Sequence, residues 1–164
     1  MLRRFESFTP HYILSEKNCF YKNGLSFECQ RCSDCCRLSP GVVYLSKNDL
    51  TRLSECFKIS QVDFVKNYCR WVQYYGNKEA LALLEKKNFD CVLWGQDGCR
   101  AYGARPVQCS TYPFWSWVVQ DARSWNEEGK SCKGINAGRL RSQKEIDEQK
   151  FLYEHNLPVT RDLP

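Results

Sequence analysis

The chain has 164 residues, enough for one domain with a real hydrophobic core but few enough to gain from metal staples. Eleven cysteines are far above ordinary usage, and the odd number fits poorly with full pairing into disulfides. The net charge of +5 hints at an anionic partner, but eight thiolates on two divalent ions would carry a formal charge of about −4, so the basic balance is no argument for nucleic acid.

Residues 1 to 26 mix Phe5, Phe8, Tyr12, Phe20 and Tyr21 with charge and read as an arm of little regular structure. The start lacks the apolar run of a secretory signal and no segment has the apolar length of a membrane span, so a cytoplasmic protein with no membrane partner and reduced thiols is expected. Cys19 matches no ligand spacing and reads as a free thiol. Phe27 to Cys36 then reads F-E-C-Q-R-C-S-D-C-C and sets Cys29, Cys32, Cys35 and Cys36 within eight residues. A CxxC step places two thiols about one turn apart, close enough to chelate one ion, and four such ligands in one loop point to a thiophilic metal: zinc, Cu(I) or Fe–S.

Ser39-Pro40-Gly41 turns the chain, and Val42, Val43, Tyr44 and Leu45 have the make-up of a short strand. Ser46 with Asp49, then Leu50, Leu53 and Phe57, predicts a capped helix over 47–58. Ser60 with Asp63, then Val62, Val65 and Cys69, predicts a second over 61–70. Cys56 and Cys69 read as core packing within these helices. Residues 71–75 and 80–84 around Gly76-Asn77 suit a hairpin, although E-A-L-A-L-L also suits a helix. Cys91 to Trp94 reads as a buried strand, and Gly95-Gln-Asp-Gly98 as the turn that returns the chain to Cys99. Charges dominate from Arg139 to about His155, which predicts a C-terminal surface helix ended by Pro158. The whole reads as an irregular α+β domain, residues 1–164, with a cysteine-bearing core at 27–136.

Cys91, Cys99, Cys109 and Cys132 bring the first four cysteines to eight, the number for two four-thiolate sites. Between Cys99 and Phe114 the thiols are crowded by Tyr102, Arg105, Pro106, Tyr112 and Pro113, and Pro106 suits the first position of a short helical turn whose N–H groups could face a thiolate centre. Arg105 and Tyr102 are the candidates to support the ligands, the guanidinium by offsetting thiolate charge.

The pattern F-x-C-x-x-C-x-x-C-C, then C-x-x-Y-x-x-R-P-x-x-C-x-x-Y-P-F and the closing Cys132-Lys-Gly134, resembles the YkgJ-like cysteine-cluster proteins, described as a zinc- or iron-chelating domain. The resemblance spans residues 27 to 136 and implies metal binding by the eight matched cysteines. Ser33 departs from a frequent Gly and Lys133 from a frequent Pro. The flagellin lysine N-methylases carry a similar cluster within a longer chain.

Other chemistries find less support. A Cys–His nucleophile needs a histidine, and only His11 and His155 exist, near opposite ends. A thioredoxin-like pair would stand alone before a helix. Radical-SAM and bacterial ferredoxin spacings each fail at Ser39, where a cysteine should stand. No phosphate loop, HExxH or paired-carboxylate signature appears. Two classes remain: metals as structural staples of a small metal-handling or protein-binding module, or an iron or Fe–S centre doing redox or group-transfer chemistry. Cys35 and Cys36 are adjacent, and in an extended backbone their side chains would diverge, so the expectation is that they join two metal sites or bridge one multinuclear centre.

Overall fold

Ser46 opens the first long helix as its sequence predicts. Its Oγ accepts from the Asp49 N–H at 3.1 Å, and the Asp49 carboxylate accepts from the Ser46 N–H at 3.0 Å, a complete capping box. The computed structural model, which describes residues 19–37 and 39–163, carries this helix, α1, over Lys47–Phe57. Most of the arm expected over residues 1 to 26 lies outside the described residues. Its end is not irregular, because Tyr21 is buried and Leu25–Phe27 forms strand β1.

Helix α2 (Gln61–Tyr68) stops two residues before the expected Arg70. Cys69 instead takes extended backbone and begins β2 (Cys69–Gln73), which pairs antiparallel with β3 (Lys78–Leu83) from Cys69↔Leu83 to Gln73↔Glu79. The hairpin reading of E-A-L-A-L-L is therefore the correct one. Ala80 to Leu83 are all buried, which a two-sided central strand accommodates and a surface helix would not. The opposite edge of β3 is shared. β7 (Thr160–Asp162) pairs with Lys78 to Ala80, and the predicted strand at 42–45 becomes an extended flank with one isolated bridge, Tyr44↔Ala82. It cannot extend further, because Val159 takes the Leu81 N–H and the Leu45 carbonyl.

The strand predicted at Cys91 to Trp94 is also shorter than expected. Cys91 makes a single bridge to Glu85, the Trp94 N–H closes a turn on the Cys91 carbonyl, and only β4 (Trp94–Gly95) and β5 (Gly98–Cys99) form a ladder, around Gly98 at φ 98. The short helix α3 (Val107–Thr111) and α4 (Ala122–Glu128) lead to β6 (Ile135–Arg141), antiparallel to β1. The C-terminal helix α5 spans Gln143–His155 with Ser142 and Glu145 as a second capping box; residues 139–141, expected to be helical, belong to β6.

The architecture is thus α+β, five helices and small antiparallel sheets among the described residues, with two apolar clusters. One joins Tyr21, Phe27, Phe114, Trp125, Ile135 and Ile146 from β1, β6, α4 and α5. The other joins Leu45, Leu53, Phe64, Leu81 and Leu93 around α1, α2 and β3. Eight of the cysteines line a cavity that touches both.

Candidate metal centre

Asp34–Cys36 is a single 3-10 turn, entered through Ser33 at φ 65, the left-handed conformation that glycine adopts most freely. This accounts for the frequent Gly at that position in the resembling family. The turn overturns the extended backbone assumed for Cys35 and Cys36: their Sγ atoms do not diverge but stand 3.8 Å apart. The Cys36 carbonyl accepts from the Cys91 N–H at 2.8 Å, which ties the first cysteine loop to the second set.

At the other end of the domain Gly134 brings in Cys132. The Glu28 N–H donates to the Gly134 carbonyl, and a Cβ on Gly134 would lie 2.4 Å from the Glu28 carbonyl oxygen, so only glycine lets the chain after Cys132 pass this close to the chain before Cys29. Lys133, where the family often has Pro, faces Asp34 at 3.7 Å across the same junction. Pro106 sits just before α3, as expected of a helix start, but the Val107 N–H donates to the buried carboxylate of Asp49 at 2.9 Å and not to a thiol. Asp49 thereby anchors the helix that carries Cys109.

The result is a cavity of about 200 Å³ whose walls include Cys29, Cys32, Cys35, Cys36, Cys91, Cys99, Cys109 and Cys132. Cys19, Cys56 and Cys69 are not in its walls. Cys19 packs against the first apolar cluster and Cys69 against the second, whereas Cys56 is exposed, contrary to its reading as a core residue. All eleven cysteines are free thiols.

The thiols act on one another. Cys36 is pushed up first by its hydrogen bond with Cys35, then by burial and by the charges of Cys35, Cys109 and Cys91. The same bond lowers Cys35 to about 7 against the opposing effect of burial, and the Arg105 charge adds to the lowering. Burial raises Cys109, and Cys91, Cys35 and Cys99 raise it further. Burial likewise raises Cys91, with Cys99 adding to it. Cys132 stands apart: burial raises it, the Gly134 N–H and the Tyr112 hydroxyl oppose this, and Cys32 is the thiol it feels. Cys36 thus feels Cys35, Cys109 and Cys91, whereas Cys132 feels Cys32.

Arg105 and Tyr102 line the same cavity. The Arg105 guanidinium lies 3.7 Å from the centroid of the Tyr102 ring and Arg31 lies 4.5 Å from it. Arg105 Nε is buried without a hydrogen-bond partner. A buried guanidinium N–H left open beside a group of thiols is a donor in need of an anion, which a thiolate-bound metal would provide. The donor set, sulfur throughout, fits zinc or iron and does not fit Mg or Ca. Among the described residues no three Cys, His, Asp or Glu side chains already stand as a ligand set for one ion, so the cavity gathers the thiols without closing them. Tyr112, named from the sequence only as one of the residues crowding the thiols, also lines the cavity. It lies beside Cys132 and donates to Glu128 at 2.5 Å.

One curated relative, the Anti-neuroexcitation peptide 2 of Olivierus martensii, is 40% identical over 48 residues, covering 26% of this chain and 56% of that peptide. The chain therefore spans little more than half the length of that relative, and a quarter of this chain carries no assignment for the whole. No solved structure matches the chain. A family model does match: CxxCxxCC, described as "Putative zinc- or iron-chelating domain", over residues 28–133. That interval runs from the residue before Cys29 to the residue after Cys132, so it encloses all eight cysteines of the cavity and the turn that carries Cys35 and Cys36, and the chain belongs to this zinc- or iron-chelating CxxCxxCC family.

Proposed function

We propose that the domain holds zinc, or iron in its place, through Cys29, Cys32, Cys35, Cys36, Cys91, Cys99, Cys109 and Cys132, as about two ions or one multinuclear centre, and that the metal is a structural staple or a cargo of metal handling. The observation that carries this reading is that eight thiols from four separate stretches of chain line one cavity beside the open Arg105 Nε. Bound zinc would supply folding free energy, because ligation requires the folded arrangement of loops. Arg105, stacked on Tyr102, would offset the thiolate charge. A reducing compartment such as the cytoplasm would keep the thiols available. A small module of this kind would act through a protein partner.

A second reading is an iron or Fe–S centre performing redox or group-transfer chemistry, which the all-sulfur lining and a zinc- or iron-chelating family also suit. Such a centre would need an open coordination position for its substrate. Elemental analysis together with an absorption spectrum of protein purified without air separates the two. A colourless protein with stoichiometric zinc supports the first reading, and a dark, oxygen-sensitive protein supports the second. Metal-free protein with the stability of the metal-replete form would overturn both.

A further inference from the structure

α3 faces two cavities. Cys109 enters the cysteine cavity, while its neighbour Gln108 lines a separate cleft of about 450 Å³, within the range of small-ligand pockets. Four tyrosines dominate this cleft: Tyr44, Tyr74, Tyr75 and Tyr153. Tyr44 and Tyr74 meet at 70° with centroids 5.4 Å apart, and Tyr74 and Tyr75 meet at 65° at 4.8 Å, so three consecutive rings turn their faces around corners. Tyr153 makes the fourth wall, backed by Trp115 at 5.3 Å and Trp117 at 5.4 Å. Burial raises the Tyr153 hydroxyl above the usual tyrosine range, and the charges of Tyr74, Tyr75 and Tyr44 raise it further. Glu154 is the one charged residue in the lining, which contains no Lys or Arg.

The rings are also unused. Among the described residues Arg and Lys side chains lie over Tyr21, Phe57, Tyr68, Trp71, Trp94 and Tyr102, and none lies over the four tyrosines of the cleft. Aromatic walls with an acidic residue in the lining and no resident cation are what attract an organic cation through the ring quadrupole. We infer that the cleft walled by Tyr44, Tyr74, Tyr75 and Tyr153 and carrying Glu154 is a binding site for a small organic cation of the alkylammonium class. The inference does not depend on which metal the cysteines hold.

The test compares choline with 3,3-dimethyl-1-butanol, which has the same shape without the charge, by titrating the full metal-replete chain and following ligand-observed NMR. Choline should bind about tenfold tighter than the neutral analogue, the scale of a cation among ring faces. Tyr75→Leu should abolish most of that preference, and because Tyr75 is 81% exposed the fold should survive the change. Glu154→Gln, which keeps a partner for the Ser116 hydroxyl, should weaken choline about threefold and leave the analogue unaffected. Equal binding of the two ligands to the wild-type chain overturns the inference, as does a choline preference that persists unchanged in both folded variants.

Discussion

Arg105 sets a cation at the wall of the cysteine cavity, where its charge lowers Cys35 and Cys109. Its ring contact with Tyr102 holds the guanidinium at the cavity wall while Nε stays buried and unpartnered. Arg105→Gln should therefore release metal about tenfold more readily to a competing chelator, the scale of ligand-supporting residues, with a smaller loss for Arg105→Lys, which keeps the charge but not the planar fork. Ser33 gives a second expectation. A non-glycine residue in left-handed backbone costs on the order of 1 kcal/mol, so Ser33→Gly should raise the unfolding free energy of the metal-bound protein, measured by denaturant titration, by about that amount. Cys69 gives a third. Burial raises its thiol from 9.0 to about 12, so the folded chain holds this proton more tightly than the unfolded chain does. The stability it contributes is complete below pH 9.0 and is lost as pH rises toward about 12. Melting curves of metal-replete Cys69→Val should accordingly fall less steeply with alkaline pH than those of the wild type, with metal content unchanged.

At the scale of elements, the two capping boxes look alike in sequence and differ in what they hold. Ser142 and Glu145 cap α5 at the surface, so Ser142→Ala should cost about 1 kcal/mol. Asp49, at 0% exposure, caps α1 and in addition receives Arg52 at 2.6 Å, the Val107 N–H at 2.9 Å and Asn156 Nδ2 at 2.7 Å. Removing it leaves a cation and two donors without their acceptor, and Asp49→Ala should cost about 3 to 5 kcal/mol, measured by denaturant unfolding. The loss should reach the metal too, since the Val107 contact positions the helix of Cys109. The start of α1 was legible because a capping box is complete within four residues. Its partners Val107 and Asn156 were not, because they arrive from 58 and 107 residues away in the chain.

For the whole molecule, the cysteine cavity lies between two apolar clusters and touches both, through Phe27 on one side and Leu83 and Leu93 on the other. Chelation should therefore do more than loosen a loop. Structural zinc contributes roughly 10 kcal/mol or more, comparable to the entire stability of a small domain, so stripped protein should lose most of its cooperative unfolding transition in calorimetry. By itself the sequence determined what is settled by near neighbours: the helix starts at Ser46 and Ser60 and the turn at Gly95 to Gly98. Only the tertiary structure decided that residues 80–83 form a buried strand, that α2 yields Cys69 and Arg70 to β2, that the 3-10 turn brings the Cys35 and Cys36 thiols to 3.8 Å, and that four distant tyrosines wall one cleft. Caps and chelating spacings close over three or four residues. Strand ladders, cavity walls and ring cages depend on contacts made across loops of tens of residues, where local preference is silent and the packing of the whole chain selects the outcome.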